Sequence, residues 1–219
     1  MTIRLSPRLE AVAQLVPLGA NVIDVGTDHA MIPVWLAQSN RAARIIASDV
    51  REGPLRNARA LLQETHTEER IVLRLTDGLH GFERKDADTV ILAGMGGETM
   101  ISILAEAPWV RDDVLLILSP HTKQELLRRW LFDEGLAIRR ELLVKDAGRI
   151  YQVLTAERGE CEKYSEPEMY TGHFSLRRDD PLFPEYLEQL IRRTRTAALY
   201  DDSARLLLSG LESMKARLL

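Results

Sequence analysis

The sequence has little of several features that would indicate particular classes of protein. Its single cysteine, Cys161, excludes an intrachain disulfide and any cysteine-based zinc site, which is typical of a reducing compartment. No stretch approaches the roughly 18 consecutive apolar residues of a membrane-spanning helix, and the N-terminus has no apolar segment of signal-peptide length. We therefore expect a cytoplasmic protein that has no contact with a membrane.

An excess of basic charge is also absent. The 219 residues carry a formal net charge of −4, which gives no support for non-specific nucleic-acid binding, although a local basic patch would suffice to hold phosphates. The five histidines show no metal-ligand spacing, so we expect no metal. With 45% hydrophobic residues, the chain can bury a core as one large domain or as one domain with an appendage.

Short apolar runs alternate with helical patterns along most of the chain. A helix is predicted from Pro7, because Ser6 is a good N-cap and proline suits the first helical position. The strand runs that follow it predict a mainly parallel sheet with right-handed crossovers. These runs lie at residues 22–25, 45–48, 71–75, 88–93 and 114–118.

Two further strands, at about residues 137–144 and 149–156, are joined by a hairpin-type turn and predict an antiparallel edge. The expected fold is therefore α/β, with a Rossmann-like, mostly parallel sheet in residues 1–160. Such a sheet binds ligands beyond the carboxyl ends of its strands, where the strand order reverses.

The remaining residues, 161–219, are predicted to form a small helical domain. Apolar residues from Ala204 to Leu218 alternate three- and four-residue steps, the pattern of a short coiled coil. The proline-rich segment before Pro184 is expected to be a surface excursion. Asp201-Asp202-Ser203 could either turn the chain or lie inside one long helix.

The first strand leads into Asp24-Val25-Gly26-Thr27-Asp28, which differs from the dinucleotide fingerprint Gly-x-Gly-x-x-Gly. One glycine permits the turn, and two carboxylates stand where a diphosphate would be repelled, so a nicotinamide dehydrogenase is disfavoured. A cationic ligand suits this loop better, such as the amino-acid end of S-adenosylmethionine. Asp28, and likewise Asp77 after the third strand, could each be only a helix N-cap, because aspartate is a preferred capping residue.

The ends of the later strands supply the other parts of such a site. Asp49 could accept hydrogen bonds from both ribose hydroxyls, and Asp77 with Gly78 could meet an adenine amino group. Gly94-Met95-Gly96-Gly97 is either the floor of a pocket beside the transferred methyl group or a strained turn without a ligand. The predicted cofactor-binding residues are Asp24, Gly26, Thr27, Asp28, His29, Asp49, Val50, Asp77, Gly78, Ala93, Gly94 and Met95.

Five motifs together resemble the bacterial tRNA (adenine(22)-N1)-methyltransferases, the TrmK family. They are Leu5-Ser6-Pro7-Arg8-Leu9, Asp24-Val25-Gly26-Thr27-Asp28-His29-Ala30 with Pro33, Asp77-Gly78-Leu79, Ala93-Gly94-Met95-Gly96-Gly97 and Gly148-Arg149-Ile150-Tyr151-Gln152-Val153. The resemblance covers about residues 4 to 158. It implies a class I methyltransferase fold, S-adenosylmethionine as donor, tRNA as substrate and a C-terminal helical domain that helps to hold the tRNA.

The chain departs from the family pattern in two places. Ser119-Pro120-His121 stands where the family usually has Gln-Pro-Asn, and the tail after Cys161 is shorter. Asp28 is the candidate catalytic residue, since a carboxylate could stabilise the cationic product, although it could equally only bind the cofactor. The predicted substrate-binding residues are Gly96, Gly97, Ser119, Pro120, His121, Arg4, Arg8, Arg192, Arg193 and Arg195.

Two alternatives stay open at this point. The fold and donor could serve another acceptor, either a different RNA position or a small molecule. The chain could also be a non-catalytic RNA-binding protein that retains a relic cofactor site and uses its C-terminal helices. The sequence does not predict an oligomeric state.

Overall fold

The computed structural model describes residues 1–218, and its centre is a seven-stranded sheet in the order β3-β2-β1-β4-β5-β7-β6. The strands are β1 (Ala20–Val25), β2 (Ala42–Asp49), β3 (Ile71–Leu75), β4 (Thr89–Ala93), β5 (Leu115–Ser119), β6 (Leu136–Asp146) and β7 (Arg149–Arg158). The helices are α1 (Pro7–Gln14), α2 (Met31–Gln38), α3 (Glu52–Thr65), α4 (Gly97–Ala105), α5 (Gln124–Asp133), α6 (Glu166–Thr171), α7 (Phe174–Arg177), α8 (Phe183–Ala197) and α9 (Asp202–Ala216).

The sheet is parallel from β3 to β5 and becomes antiparallel at β7. The predicted α/β fold with an antiparallel edge hairpin is therefore confirmed. Strand order reverses beside β1, whose neighbours are β2 on one side and β4 on the other. The carboxyl ends of these strands consequently form the crevice in which α/β sheets bind ligands.

Helices cover both faces of the sheet. Successive residues of a strand point to opposite faces, and Val22 and Ile23 accordingly belong to different clusters of buried apolar side chains. The cluster around Val22 includes side chains from α1, α2 and α3, whereas the cluster around Ile23 includes side chains from α4 and α5. Burial on both faces explains the nearly continuous apolar runs seen in the sequence.

Two helix starts differ from the sequence prediction. Because proline is tolerated only in the first turn of a helix, Pro33 predicts a start of α2 near His29. Helix α2 begins instead at Met31, because Asp28 (φ 51°) and Ala30 (φ 53°) first make a left-handed turn. Pro33 still lies in the first turn of α2, as predicted. Thr122 and Glu125 have the spacing of a capping box in the sequence, which predicts a helix start at Thr122. This prediction is wrong: the residue before α5 is Lys123, with φ 57°, and among the described residues its side chain makes no capping hydrogen bond.

The edge hairpin is tied to the first helix. Strands β6 and β7 are joined by Ala147 and Gly148, both with positive φ, as a two-residue hairpin turn of the type I′ kind requires. Asp146 at this turn accepts a hydrogen bond of 2.6 Å from the Ser6 hydroxyl. Ser6 is the N-cap residue of α1 as predicted, but its hydroxyl binds the hairpin instead of the helix backbone.

The tail packs against the hairpin side of the sheet. Helices α8 and α9 form an antiparallel pair, and the chain turns at Asp201, whose carboxylate accepts a hydrogen bond from the Ser203 backbone N–H (2.8 Å). The segment expected to be a surface excursion instead contains α6 and α7, and Arg177 of α7 is completely buried, so that prediction is wrong. The domain boundary at residue 160 stays a prediction, and Leu219 lies outside the described residues.

A buried polar network connects this tail to the sheet. Arg128 of α5 donates to Glu141 of β6 through Nε (2.9 Å) and Nη2 (2.7 Å), and both side chains are fully buried. Arg128 Nη1 donates to the Met169 backbone oxygen (2.7 Å). Burial would raise the pKa of Glu141, but the charges of Arg128 and Arg177 outweigh this and hold that pKa below its usual value. Glu141 is therefore ionised and relies on its two cationic neighbours.

We predict that Arg128→Leu lowers the free energy of unfolding by about 3–5 kcal/mol, because it leaves the Glu141 carboxylate buried with less compensation. Arg129→Leu is the matched control, since the Arg129 side chain is 43% exposed and pairs with Glu166 at the surface. That variant should cost only about 0–1 kcal/mol. Urea unfolding of both variants measures the difference, and similar losses would contradict the role assigned to Arg128.

Candidate active site

The turn after β1 places a carboxylate in the protein interior. Gly26 has φ 70°, a left-handed conformation that glycine adopts without strain. The turn brings the Thr27 hydroxyl to Asp24, to which it donates a hydrogen bond of 2.6 Å, while the Thr27 backbone N–H bonds the Ser48 oxygen of β2. Asp24 is only 4% exposed. The sequence Asp-x-Gly-Thr therefore builds a rigid, acidic strand end.

Asp24 has an unusual charge state. Burial raises its pKa to about 7, the Thr27 hydrogen bond opposes this rise, and the nearby charge of Asp49 adds to it. Asp49 is itself 6% exposed and accepts a hydrogen bond from the Arg51 backbone N–H (3.0 Å). Two neighbouring buried carboxylates repel each other, so a cation placed between them would be bound favourably.

Asp28 and His29 lie farther out on the same loop. The Asp28 side chain is 66% exposed and its carboxylate lies 3.7 Å from Nε2 of His29. The N-cap position of α2 is Ala30, so Asp28 does not cap this helix. Helix capping therefore does not explain the carboxylate at this position, and the explanation that remains from the sequence is binding of a ligand.

The ends of β4, β5 and β7 form the opposite wall. The Gly94 backbone N–H donates to the Ser119 oxygen (3.2 Å), and the His121 N–H donates to the Met95 oxygen (2.9 Å). Arg8 reaches this wall from α1, with its guanidinium carbon 5.3 Å from the centre of the Tyr151 ring. Arg8 Nη1 is buried and has no hydrogen-bond partner among the described residues.

A cavity of about 680 Å³ connects these strand ends. Its lining includes all twelve predicted cofactor-binding residues, so the structure brings that whole set together. Their individual roles stay predictions. Arg8 and His121 of the predicted substrate-binding set line it as well.

The other predicted substrate-binding residues lie outside this lining in the described part of the chain. Gly97 starts α4, and a methyl group on its α-carbon would lie 2.3 Å from the Lys123 oxygen, so close packing of the backbone explains this glycine. Ser119 is completely buried and donates to the Gln152 oxygen at 3.2 Å. Gly96, Pro120, Arg4, Arg192, Arg193 and Arg195 complete this group.

The four predicted phosphate-binding arginines that lie outside the cavity are exposed, and two of them form ion pairs with glutamates. Arg195 pairs with Glu212 at 3.1 Å and Arg192 with Glu188 at 3.6 Å, both within the α8–α9 pair. Arg4 and Arg193 are exposed at the surface. These positions are compatible with phosphate contacts, and that role stays a prediction.

Sequence reasoning missed the apolar part of the lining. Thr99 and Ile103 are four residues apart on α4 and so share one helix face, a spacing that could have identified them. Tyr151 was also not assigned, although its ring contacts both Arg8 and His121. Tyr151 lies outside the lining, and the remaining lining residues that were missed are Leu9, Val25, Met31, Ile32, Arg51 and Thr76.

The described residues contain neither a candidate metal site nor a candidate membrane-spanning helix. Among residues 1–218, no group of three or more histidine, cysteine, aspartate or glutamate side chains could hold a metal ion. Within the same range, no helix has the length and apolar character needed to cross a membrane.

Comparison with known proteins agrees with this geometry. A family model described as a methyltransferase domain matches residues 5–154. The tRNA (adenine(22)-N(1))-methyltransferase of Bacillus subtilis is 33% identical over 159 residues, which cover 72% of this chain and 67% of that protein.

Solved structures show the same likeness over nearly the whole chain. The crystal structure of the B. subtilis m1A22 tRNA methyltransferase TrmK has a TM-score of 0.83 and 27% identity, and the match covers 98% of this chain and 97% of that one. Streptococcus pneumoniae Sp1610, crystallised with S-adenosyl-L-methionine, has a TM-score of 0.87 and 32% identity, covering 99% of this chain and 100% of that one. The fold, the strand-end cavity and these relatives show that the chain belongs to the tRNA (adenine(22)-N1)-methyltransferase family.

Proposed function

We propose that this protein methylates N1 of adenine 22 in tRNA with S-adenosylmethionine as the donor. The observation that carries the proposal is the cavity itself, in which the buried Asp24 and Asp49 face a wall that carries the unpaired Arg8 guanidinium nitrogen. This arrangement of charges complements a ligand that has two cationic groups and one carboxylate. Its volume, about 680 Å³, is in the range of small-molecule sites.

The acidic side of the cavity suits the cationic groups and the adenosine of the donor. Asp24 and Asp28 would attract the ammonium and sulfonium groups. Asp49, at the end of β2, would accept hydrogen bonds from the ribose hydroxyls, as acidic residues at this position do for other nucleotides. Asp77 and Gly78 at the end of β3 would then meet the adenine ring.

Arg8 suits the carboxylate of the donor better than a phosphate of tRNA. A phosphate on the tRNA backbone is reached most easily by exposed arginines, whereas Nη1 of Arg8 is buried against the cavity wall. A buried donor without an acceptor is unfavourable by roughly 1–3 kcal/mol. A carboxylate in the cavity would satisfy it with a charge-assisted hydrogen bond.

The chemistry then requires mainly positioning. S-adenosylmethionine supplies a methyl group on a positively charged sulfur, and adenine N1 has a lone pair with which to form the new bond while the C–S electron pair stays on sulfur. The residues around the cavity hold the two reactants in line and exclude water, which can account for a large part of the rate. Asp28 would stabilise the cationic product, and the exposure of its carboxylate supports this role because a base could approach it.

The substrate must also present N1 to the cavity. Because N1 lies on the Watson–Crick edge, a paired adenine has to leave its stack before it reacts. Arg4, Arg192, Arg193 and Arg195 are proposed phosphate contacts that hold the tRNA while this happens.

The proposed reaction is tested on unmodified tRNA transcripts. We expect the protein to incorporate one methyl group per tRNA from labelled S-adenosylmethionine, and mass mapping should place it on adenine 22. A transcript with guanosine at position 22 is the matched control and should remain unmethylated. Methylation at another position would favour the alternative acceptors, and binding without transfer would favour the non-catalytic alternative.

A second prediction concerns the pH dependence of donor binding. A bound cation favours the ionised form of Asp24, whose pKa in the free protein is about 7. Affinity for S-adenosylmethionine should therefore be full above that pH and fall by up to about tenfold per pH unit below it. Calorimetry between pH 6 and 8.5 measures this, and Asp24→Asn should bind weakly without the pH step.

Two controls accompany the Asp24 measurement. Asp28→Asn should keep the pH step, because its carboxylate is exposed and lies outside the buried pair. A raised pKa of a folded carboxyl also means that its ionised form is unfavourable in the folded protein, increasingly so from pH 3.8 to about 7. Asp24→Asn should therefore raise the Tm of the free protein at pH 8, and a lowered Tm would contradict this electrostatic account.

A third prediction concerns Arg8. Arg8→Met should weaken S-adenosylmethionine binding about 10- to 100-fold, because a charge-assisted hydrogen bond is lost. Decarboxylated S-adenosylmethionine should bind the wild type and Arg8→Met equally well, since it lacks the group that Arg8 contacts. Arg4→Met, four residues earlier and exposed, should leave donor binding unchanged. Equal weakening of both ligands by Arg8→Met would contradict the assignment.

A further inference from the structure

Two side chains, those of Arg8 and His121, lie close to Gly94 at the end of β4. A methyl group on the Gly94 α-carbon would lie 3.8 Å from Arg8 Nη1 and 3.9 Å from Cε1 of His121. The His121 and Tyr151 rings are 5.4 Å apart between centres and are inclined by 48°. The imidazole of His121 therefore packs near the Tyr151 ring and also lines the cavity.

His121 has an uncharged ring with a free hydrogen-bonding edge. Burial lowers the pKa of His121, and the positive charges of Arg8 and Arg149 lower it further. The groups that face it are thus Arg8 from α1 and Arg149 and Tyr151 from β7. Within residues 1–218 no hydrogen bond or ion pair engages the ring, and only the backbone N–H of His121 is used. A neutral imidazole has one ring nitrogen that accepts a hydrogen bond.

We propose that His121 is the residue that distinguishes adenine from guanine and uracil, by accepting a hydrogen bond from its 6-amino group through a ring nitrogen. This inference rests on the proposed function, and it takes the reacting N1 atom to lie beside the β4 and β5 ends of the cavity, where the sequence predicts that Gly94 and Met95 lie next to the transferred methyl group. The 6-amino group is the neighbour of N1 on the Watson–Crick edge, so a base aligned for transfer presents N6–H to the same wall. Guanine and uracil carry carbonyl oxygens on this edge and would oppose the lone pair of the imidazole.

The same hydrogen bond would assist the reaction. Transfer of the methyl group moves positive charge onto the adenine ring, which makes N6–H a stronger donor. A hydrogen bond that strengthens as the charge develops stabilises the transition state more than the bound substrate and so raises kcat. No proton needs to leave the base for this effect. A protonated His121 would lose its acceptor and repel the developing cation.

The test measures the energetic coupling between His121 and the 6-amino group. Four rates are compared: wild type and His121→Ala, each with tRNA that carries adenosine or purine riboside at position 22. Removing the amino group should lower kcat/KM of the wild type by about tenfold or more beyond its effect in His121→Ala. The difference between the two enzymes removes the intrinsic change in reactivity of the base. Equal losses in the two enzymes would overturn the proposal.

A conservative variant separates recognition from a structural role. His121→Asn also offers an acceptor, its amide oxygen, and should restore the coupling that His121→Ala loses. At saturating S-adenosylmethionine, kcat of the wild type should fall as the pH drops through the pKa of His121, whereas His121→Asn should lack this step. Thermal unfolding identifies a variant that fails to fold. If His121→Ala does not fold, the pH dependence of kcat in His121→Asn tests the proposal by itself. Absence of coupling or the same pH step in His121→Asn would count against the proposal.

Failure of the inference and failure of the proposed function give different results. If wild-type protein does not methylate adenosine 22, the proposed function is wrong. If it methylates adenosine 22 but the coupling is absent, only the role of His121 is wrong.

Discussion

The buried carboxylate of Asp24 is the constraint on which the site depends. Taking a charged carboxylate out of water is unfavourable, and the proximity of Asp49 adds to the cost, which is why the Asp24 pKa rises to about 7. The fold retains this arrangement because the parallel β1 and β2 end side by side and the Gly26 turn brings the Thr27 hydroxyl onto the carboxylate. The ionised form of Asp24 destabilises the free protein, but it creates a position at which a cation binds favourably.

The opposite wall is held by hydrogen bonds that continue into the tail. Gly94 bonds to the Ser119 oxygen, the Ser119 hydroxyl bonds to the Gln152 oxygen, and Gln152 Nε2 donates to the Tyr170 oxygen at 2.9 Å. The buried Arg128–Glu141 pair connects α5 to β6 on the same side of the sheet. The C-terminal helices therefore help to position the cavity wall in addition to any contact that they make with tRNA. Ser119 belongs to this support, although the sequence suggested a place in the substrate pocket.

Much of the cavity lining could be predicted because it lies in short, continuous motifs. Asp24 to His29, Asp77 with Gly78, and Ala93 to Met95 each lie at or just after the carboxyl end of a strand, and parallel strands bring these ends to one edge. Residues whose importance comes from long-range packing were predicted less well. A side chain at Gly97 would collide with the Lys123 backbone, which explains this glycine. Lys123 itself precedes α5 in a left-handed conformation, where the sequence suggested a capping box.

The sequence alone determined the order of strands and helices along the chain as far as β7, the position of the acidic turn and the resemblance to the family. These properties follow from apolar periodicity and from residues that are close together along the chain. Only the tertiary structure decided that Arg8 and His121 both lie near Gly94 and that the His121 ring packs near Tyr151. It also decided that Asp28 does not cap α2 and that Arg177 is buried. Such facts depend on which distant segments pack together, and no local pattern records the burial or charge that results.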